Sequence, residues 1–256
     1  MHLCNMKSLN LFIILSFTCV SMVSADTYDD IISKALNNPA RAANNVARDE
    51  SRKPGEIIKF MDVQPGMTVL DMVSNGGFYA EILASVVGDE GRIIAHTFAP
   101  AGMDPDFAYA EYIRSSSHMK NVVPIYANFA DLDLKENTLD RVFLVQNYHD
   151  FYFDRPGYGV DDVQPVLAMF RKALKPSGVM AIIDHEASSG APSTSGTTLH
   201  RISSDIVKND MQAAGFKLSG SLDILMNNND DKTKSVFDPA IRGKSSRFIL
   251  RYISPD

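Results

Sequence analysis

Thiols are nearly missing from this chain. Of its 256 residues only Cys4 and Cys19 are cysteines, and both fall within the first twenty positions. Beyond them a disulfide framework is excluded, as is a thiolate-ligated zinc or iron–sulfur centre. Positive charge is also in short supply: 25 Lys and Arg stand against 31 Asp and Glu, so bulk electrostatics does not hold this chain on nucleic acid. The apolar run over residues 9–23 falls short of the roughly 20 residues a helix needs to cross a bilayer, and polar Asp26-Thr27-Tyr28-Asp29-Asp30 follows it at once. What is present, 45% hydrophobic and 22% charged residues, is the composition of a soluble globular protein with one sizeable core, and it excludes disorder and collagen-like repeats.

The short apolar run has another reading. Lys7 supplies a positive start, residues 9–23 an apolar centre, and Val23-Ser24-Ala25 the small residues of a cleavage site, which together describe an export signal cut after Ala25. Bulky Phe17 near Cys19 argues against a lipoprotein site. Residues 26–256 would then form one domain, opening with a helical preface over 26–62, and would be free of cysteine. Loss of Lys7 would leave 24 basic residues against 31 acidic. The expected location is periplasmic or secreted, with no stable membrane anchor after cleavage.

Hydrophobic spacing predicts an alternating α/β chain. Residues 30–45 read as helix interrupted by Pro39, and 52–61 as helix with Pro54 in its first turn. Strand patterns occur at 68–72, 92–98, 122–127, 140–146 and 178–184, with helices expected at 78–87, 107–116 and 162–174 between them. Such alternation implies right-handed crossovers and a mostly parallel sheet. After a helix over 203–214, strands at 216–225 and 247–253 are joined by a polar connection with no helical crossover, so they must pair antiparallel. That ending differs from a nicotinamide-binding dehydrogenase sheet, which continues with another parallel unit.

The segment Gln64-Pro-Gly-Met-Thr-Val-Leu-Asp-Met-Val-Ser-Asn-Gly-Gly-Phe-Tyr-Ala-Glu81 resembles the first motif of class I S-adenosylmethionine-dependent methyltransferases, as found in an exported proteobacterial group. Further similar stretches are Gln146-Asn-Tyr-His-Asp-Phe-Tyr152, Asp184-His-Glu186, Leu199-His-Arg-Ile202 and Lys234-Ser-Val-Phe-Asp-Pro-Ala-Ile-Arg-Gly243. The resemblance implies a Rossmann-like methyltransferase fold, with a seven-strand-type sheet ending in an antiparallel hairpin, and S-adenosylmethionine as cofactor. Asp71 would order the loop around the amino and carboxypropyl groups, with Ser74, Gly76, Gly77 and Phe78 shaping it. A strand that ends in a carboxylate and turns through glycines into a helix aims backbone N–H groups at a ligand, which suits that role. The family usually has glycine where this chain has Val73 and Asn75, and an acidic ribose ligand after the second strand where this chain reads His96-Thr97. Those two residues are the remaining polar candidates there; Asn128 and Phe129 are the candidates for the adenine, and Asn147 for the cofactor edge after the fourth strand.

On the acceptor side, His149 combines a possible general base with neighbouring aromatic faces, and Asp150, Asp184 and His185 fall at the same sheet edge by topology. His149, Asp150, Asp184, His185, Glu186 and His200 include metal-ligand types, but none has the close spacing of a metal motif, and no metal is assigned. Residues 187–198 read as a lid or a linker, and 227–232 as a polar hairpin tip. Two functions follow: a methyltransferase acting on a small molecule, or a binding protein on a methyltransferase fold that has lost its chemistry. Export would part the enzyme from a methyl donor made in the cytosol, and the departures at Val73, Asn75 and the ribose position motivate the second reading.

Overall fold

A computed structural model describes residues 26–98, 111–113, 115–154 and 159–255. The leader and half of the helix expected over 107–116 lie outside the described residues. No helix among the described residues is long and apolar enough to cross a membrane.

Seven strands form one mixed sheet in the order β3-β2-β1-β4-β5-β7-β6, the mostly parallel sheet with an antiparallel ending that the resemblance implied. They are β1 (Thr68–Met72), β2 (Arg92–Thr97), β3 (Val122–Tyr126), β4 (Leu139–Val145), β5 (Leu174–His185), β6 (Lys217–Leu222) and β7 (Arg247–Ile253). β1 is parallel to both β2 and β4, β2 to β3, and β4 to β5. β7 alone runs against its neighbours, inserted between β5 and β6. β5 begins earlier than the strand expected at 178–184 and carries a bulge: pairing passes from Leu139 with Leu174 to Arg141 with Val179, and Ser177 takes φ 65°.

Central strands such as β1 are buried on both faces because helices cover both sides, so their side chains are apolar in continuous runs rather than alternating. The two faces form two cores. One gathers Val69, Ile82, Leu83, Ile93 and Phe143 under the helix Phe78–Val87 and the preface; the other gathers Leu70, Val142, Leu167, Phe170 and Ile182 under the helix Gln164–Ala173. Each such fully buried side chain stabilises the fold by roughly 1.5–3 kcal/mol relative to exposure.

The preface resolves into the helices Tyr28–Leu36, Ala43–Val46, Asp49–Arg52 and Pro54–Phe60. Thr27 and Asp30 cap the first reciprocally, and Pro54 opens the last. Glu81, fully buried in the helix after β1, accepts hydrogen bonds from the Ala42 N–H (2.8 Å) and from Asn45 Nδ2 (2.7 Å), which fastens the preface to the sheet.

Residues 227–232 are anchored rather than forming the exposed hairpin tip their polarity suggested. Asp230 is buried and takes a bidentate pair from fully buried Arg201, at 3.0 Å to each oxygen, together with the Ser246 N–H at 2.7 Å. Arg201 also donates to the Lys234 and Glu186 carbonyls at 2.9 Å, so one guanidinium ties the long connection back to the end of β5.

Candidate functional site

The carboxyl ends of β1, β2, β4 and β5 meet at one sheet edge, the place where open α/β folds bind ligands. After β1 the chain turns through Val73, Ser74, Asn75, Gly76 and Gly77 before the helix Phe78–Val87 begins. Gly76 and Gly77 have φ values of 72° and 73°, which glycine adopts without penalty. Val73 sits at φ 51° although it is β-branched, a conformation costly for its side chain. Three bonds hold it there: the Val73 N–H donates to His96 Nδ1 (3.2 Å), the Ser74 N–H to the His96 carbonyl (2.7 Å), and the Gly77 N–H to the Ser74 carbonyl (3.0 Å).

Asp71 is buried at the floor of this turn. Ser74 Oγ donates to it at 2.6 Å and the Ala80 N–H also donates, yet desolvation dominates and raises its pKa from the usual carboxylate value to about 7. Above it, Arg52 and Arg48 from the preface lie over the Phe78 ring, 4.6 and 5.1 Å from its centroid. Arg52 Nη2 donates to Gln146 Oε1 at 2.9 Å, and burial lowers its pKa to about 10. These groups surround a cavity of about 170 Å³, lined also by Val73, Asn75 and Asn147. One small cavity thus holds an acid that resists ionisation beside two guanidiniums.

The expected ribose and adenine residues divide. His96 is fully buried with both ring nitrogens engaged, Nδ1 accepting from Val73 and Nε2 donating to the Ala127 carbonyl at 3.0 Å, so none is left for a ribose; desolvation lowers its pKa to about 4 and keeps it neutral. Thr97 Oγ1 and Asn128 Oδ1 are buried without a hydrogen-bond partner among the described residues. Such orphaned acceptors fit the hydroxyl and amino donors of a nucleoside. Phe129 is buried in an aromatic stack with His96, Phe98 and Phe151.

On the β4–β5 side, His149 Nδ1 lies 3.0 and 3.1 Å from the two oxygens of Asp184, which also accepts the N–H groups of His149 (2.9 Å) and His185 (2.7 Å). Burial opposes charge on both side chains, but their mutual attraction and hydrogen bonds outweigh it, raising the His149 pKa and lowering that of Asp184. Asp184 therefore fixes the Nδ1–H tautomer and turns Nε2 outward. Asp150 Oδ1 is 3.4 Å and His200 Nδ1 3.3 Å from that Nε2. The His185 imidazole bonds away from this cluster, with Nδ1 2.7 Å from Ser245 Oγ, and burial drives its pKa down to about 3.

The segment expected as lid or linker contributes the helix Ser195–Leu199, which packs directly on this cluster; a Cβ at Gly196 would lie 2.6 Å from the His149 carbonyl oxygen. Arg48, Arg52 and Gln146 were missed as site residues, and His200, weighed only as a metal-ligand type, joins the cluster at His149. The preface arginines carry only the signal of two cations one helical turn apart, and His200 reaches the site through tertiary folding.

No family model matches the chain. It is 25% identical over 132 residues to a demethylmenaquinone methyltransferase of Bacillus cereus, covering 50% of this chain and 49% of that protein, so it spans about half the length of the curated relatives it matches. A SAM-dependent methyltransferase from Aquifex aeolicus shares the fold with a TM-score of 0.59 at 21% identity, over 90% of this chain and all of that one. A Burkholderia thailandensis 1,6-didemethyltoxoflavin-N1-methyltransferase, solved with bound 1,6-didemethyltoxoflavin and S-adenosylhomocysteine, gives a TM-score of 0.53 at 14% identity, over 90% of this chain and 87% of that one.

Proposed function

We propose that this chain is an S-adenosylmethionine-dependent methyltransferase acting on a small molecule. One observation carries the reading: the cavity after β1 joins the buried Asp71 carboxyl to the Arg48 and Arg52 guanidiniums, a charge pattern complementary to the amino and carboxylate groups of an amino acid. Asp71 would hold the amino group, the two arginines the carboxylate, Ser74, Gly76 and Gly77 the loop around them, Thr97 a ribose hydroxyl and Asn128 the adenine amino group. When bound, the cofactor supplies an electrophilic methyl group on a sulfonium.

The residues' own work is alignment and proton removal. Asp184 holds the His149 ring, leaving Nε2 as the base for an acceptor proton, while Phe153 and Phe237, packed on the neighbouring His200 ring, supply apolar wall nearby. The cavity, about 170 Å³, is narrow for a nucleoside, and Val73 stands in its lining where the resembled family usually has glycine. That favours a second reading, a methyltransferase fold retained for binding alone. We also propose that residues 1–25 direct export, which N-terminal sequencing of periplasmic protein checks: a mature start at Asp26 supports it and a start at Met1 refutes it.

Calorimetric titration with S-adenosylmethionine and S-adenosylhomocysteine tests the main reading. Saturable heat that Asp71→Asn weakens at least about tenfold supports it, a loss of ~1.4 kcal/mol. A folded sample that gives no heat at high micromolar ligand overturns it.

A further inference from the structure

We infer that His149, Asp150 and His200 form a binding site for one divalent first-row transition ion of the zinc class. Each offers one ligating atom, and the three atoms lie within 4.8 Å of one another. His149 and Asp150 come from the loop after β4, whereas His200 follows the helix Ser195–Leu199, so no short sequence motif announces the set.

The geometry is closer to a coordination sphere than to a chance cluster. Metal bonds of about 2.0–2.1 Å at tetrahedral angles put neighbouring ligand atoms about 3.3 Å apart. His149 Nε2 is 3.3 Å from His200 Nδ1 and 3.4 Å from Asp150 Oδ1, so two edges of the tetrahedron are already in place. The supporting shell is present too. Asp184, fully buried, accepts from His149 Nδ1 and fixes the Nε2 lone pair toward the other two ligands, the carboxylate–histidine arrangement that orients metal-bound imidazoles.

Asn147 Nδ2 donates to Asp150 Oδ2 at 2.7 Å, leaving Oδ1 on the cluster side. His200 is held at φ 52° and is packed between Phe153 and Phe237, with centroids 5.3 and 4.7 Å away; left-handed backbone in a side chain of this size is tolerated where the surroundings impose it. Two imidazoles and one carboxylate suit zinc or iron(II) rather than calcium or magnesium, which call for oxygen-rich sets. Three protein ligands leave a coordination position open, as in sites that act on a substrate.

The ion site stands independently of methyl transfer. Resting on the methyl-transfer reading, the open position would hold an oxygen acceptor and lower its pKa, so that its proton leaves to solvent and the ion replaces His149 as the means of deprotonating it. One lone pair serves only one of these roles at a time.

The experiment uses untagged full-length protein stripped with chelator, titrated with Zn(II) by calorimetry and with Co(II) by visible absorption. One ion per chain is expected, with a tetrahedral cobalt spectrum. His200→Ala and Asp150→Asn should each weaken affinity at least about tenfold, and Asp184→Asn by about 10- to 100-fold. Circular dichroism confirms folding, and Asp150→Asn, at a half-buried position, leaves the cores intact. No binding by folded wild-type protein up to about 1 mM ion overturns the site. So does binding that His200→Ala and Asp150→Asn leave undiminished, the mark of an adventitious ion only. S-adenosylmethionine titrated into the same stripped protein reports on the cofactor pocket separately, so either proposal can fail without the other.

Discussion

At Asp71 and His96 the fold holds two buried groups whose titrations oppose each other. The folded-state pKa of Asp71, about 7, lies above the unfolded value of 3.8, so this group contributes stability that is fully present at low pH and is lost as pH rises through about 7, on the order of 4 kcal/mol. That of His96, about 4, lies below the unfolded 6.5, so its contribution is present above 6.5 and is lost as pH falls through 4, on the order of 3 kcal/mol. The windows overlap and largely cancel. Removing either group should expose the other: relative to wild type, Asp71→Asn should lose stability between pH 7 and 5, and His96→Asn should gain it. Melting temperatures at the two pH values decide this, and parallel shifts in the two variants would refute the opposition.

Asp71 makes a second prediction. A cationic amino group arriving beside it lowers its pKa, so cofactor binding near pH 6.5 should release a fraction of a proton. The binding enthalpy should then change with the ionisation enthalpy of the buffer, and this dependence should vanish in Asp71→Asn. Val73 is the other informative residue. Val73→Gly removes the left-handed strain but also a buried side chain, so stability should change by less than about 1.5 kcal/mol in either direction. Cofactor affinity should rise as the cavity enlarges, measured by calorimetry; an unchanged affinity would mean that Val73 does not limit the pocket.

Among the elements, β1, β7 and the helix Phe78–Val87 match the expected residues end to end, because each is a buried apolar run punctuated by glycine, proline or charge. The antiparallel ending was legible for a related reason: a polar connection without helical spacing leaves no crossover. The expectation weakened where partners are distant in sequence. Asp230 looked like surface polarity because nothing local reveals that Arg201 reaches it across 29 residues. His96 looked like a ribose ligand from its place at the end of β2, yet its side chain turns inward to the Val73 N–H and takes a structural role. His200 and the preface arginines join the site through tertiary packing, which periodicity does not encode. The buried Arg201–Asp230 pair gives this scale its prediction. Arg201→Met strands a carboxylate in the interior and should cost about 3–5 kcal/mol, whereas the double variant Arg201→Met, Asp230→Leu should recover part of that in chemical denaturation.

For the whole molecule, the position of β7 constrains the order of assembly. β5 and β6 are separated by a strand that lies later in the chain than either, so the sheet edge beyond β5 stays open until residues 247–253 are available. A chain emerging from a ribosome or a translocation pore can form β1 to β5 early, but β6 then has nothing to pair with, and Ile249 and Leu250 are still missing from the two cores. Completion is therefore a late event of high sequence separation. A chain ending before Arg247 should melt without a sharp transition and should bind hydrophobic dye. Until that last strand arrives, the polypeptide remains in a state that a translocase can still thread and a protease can still cut.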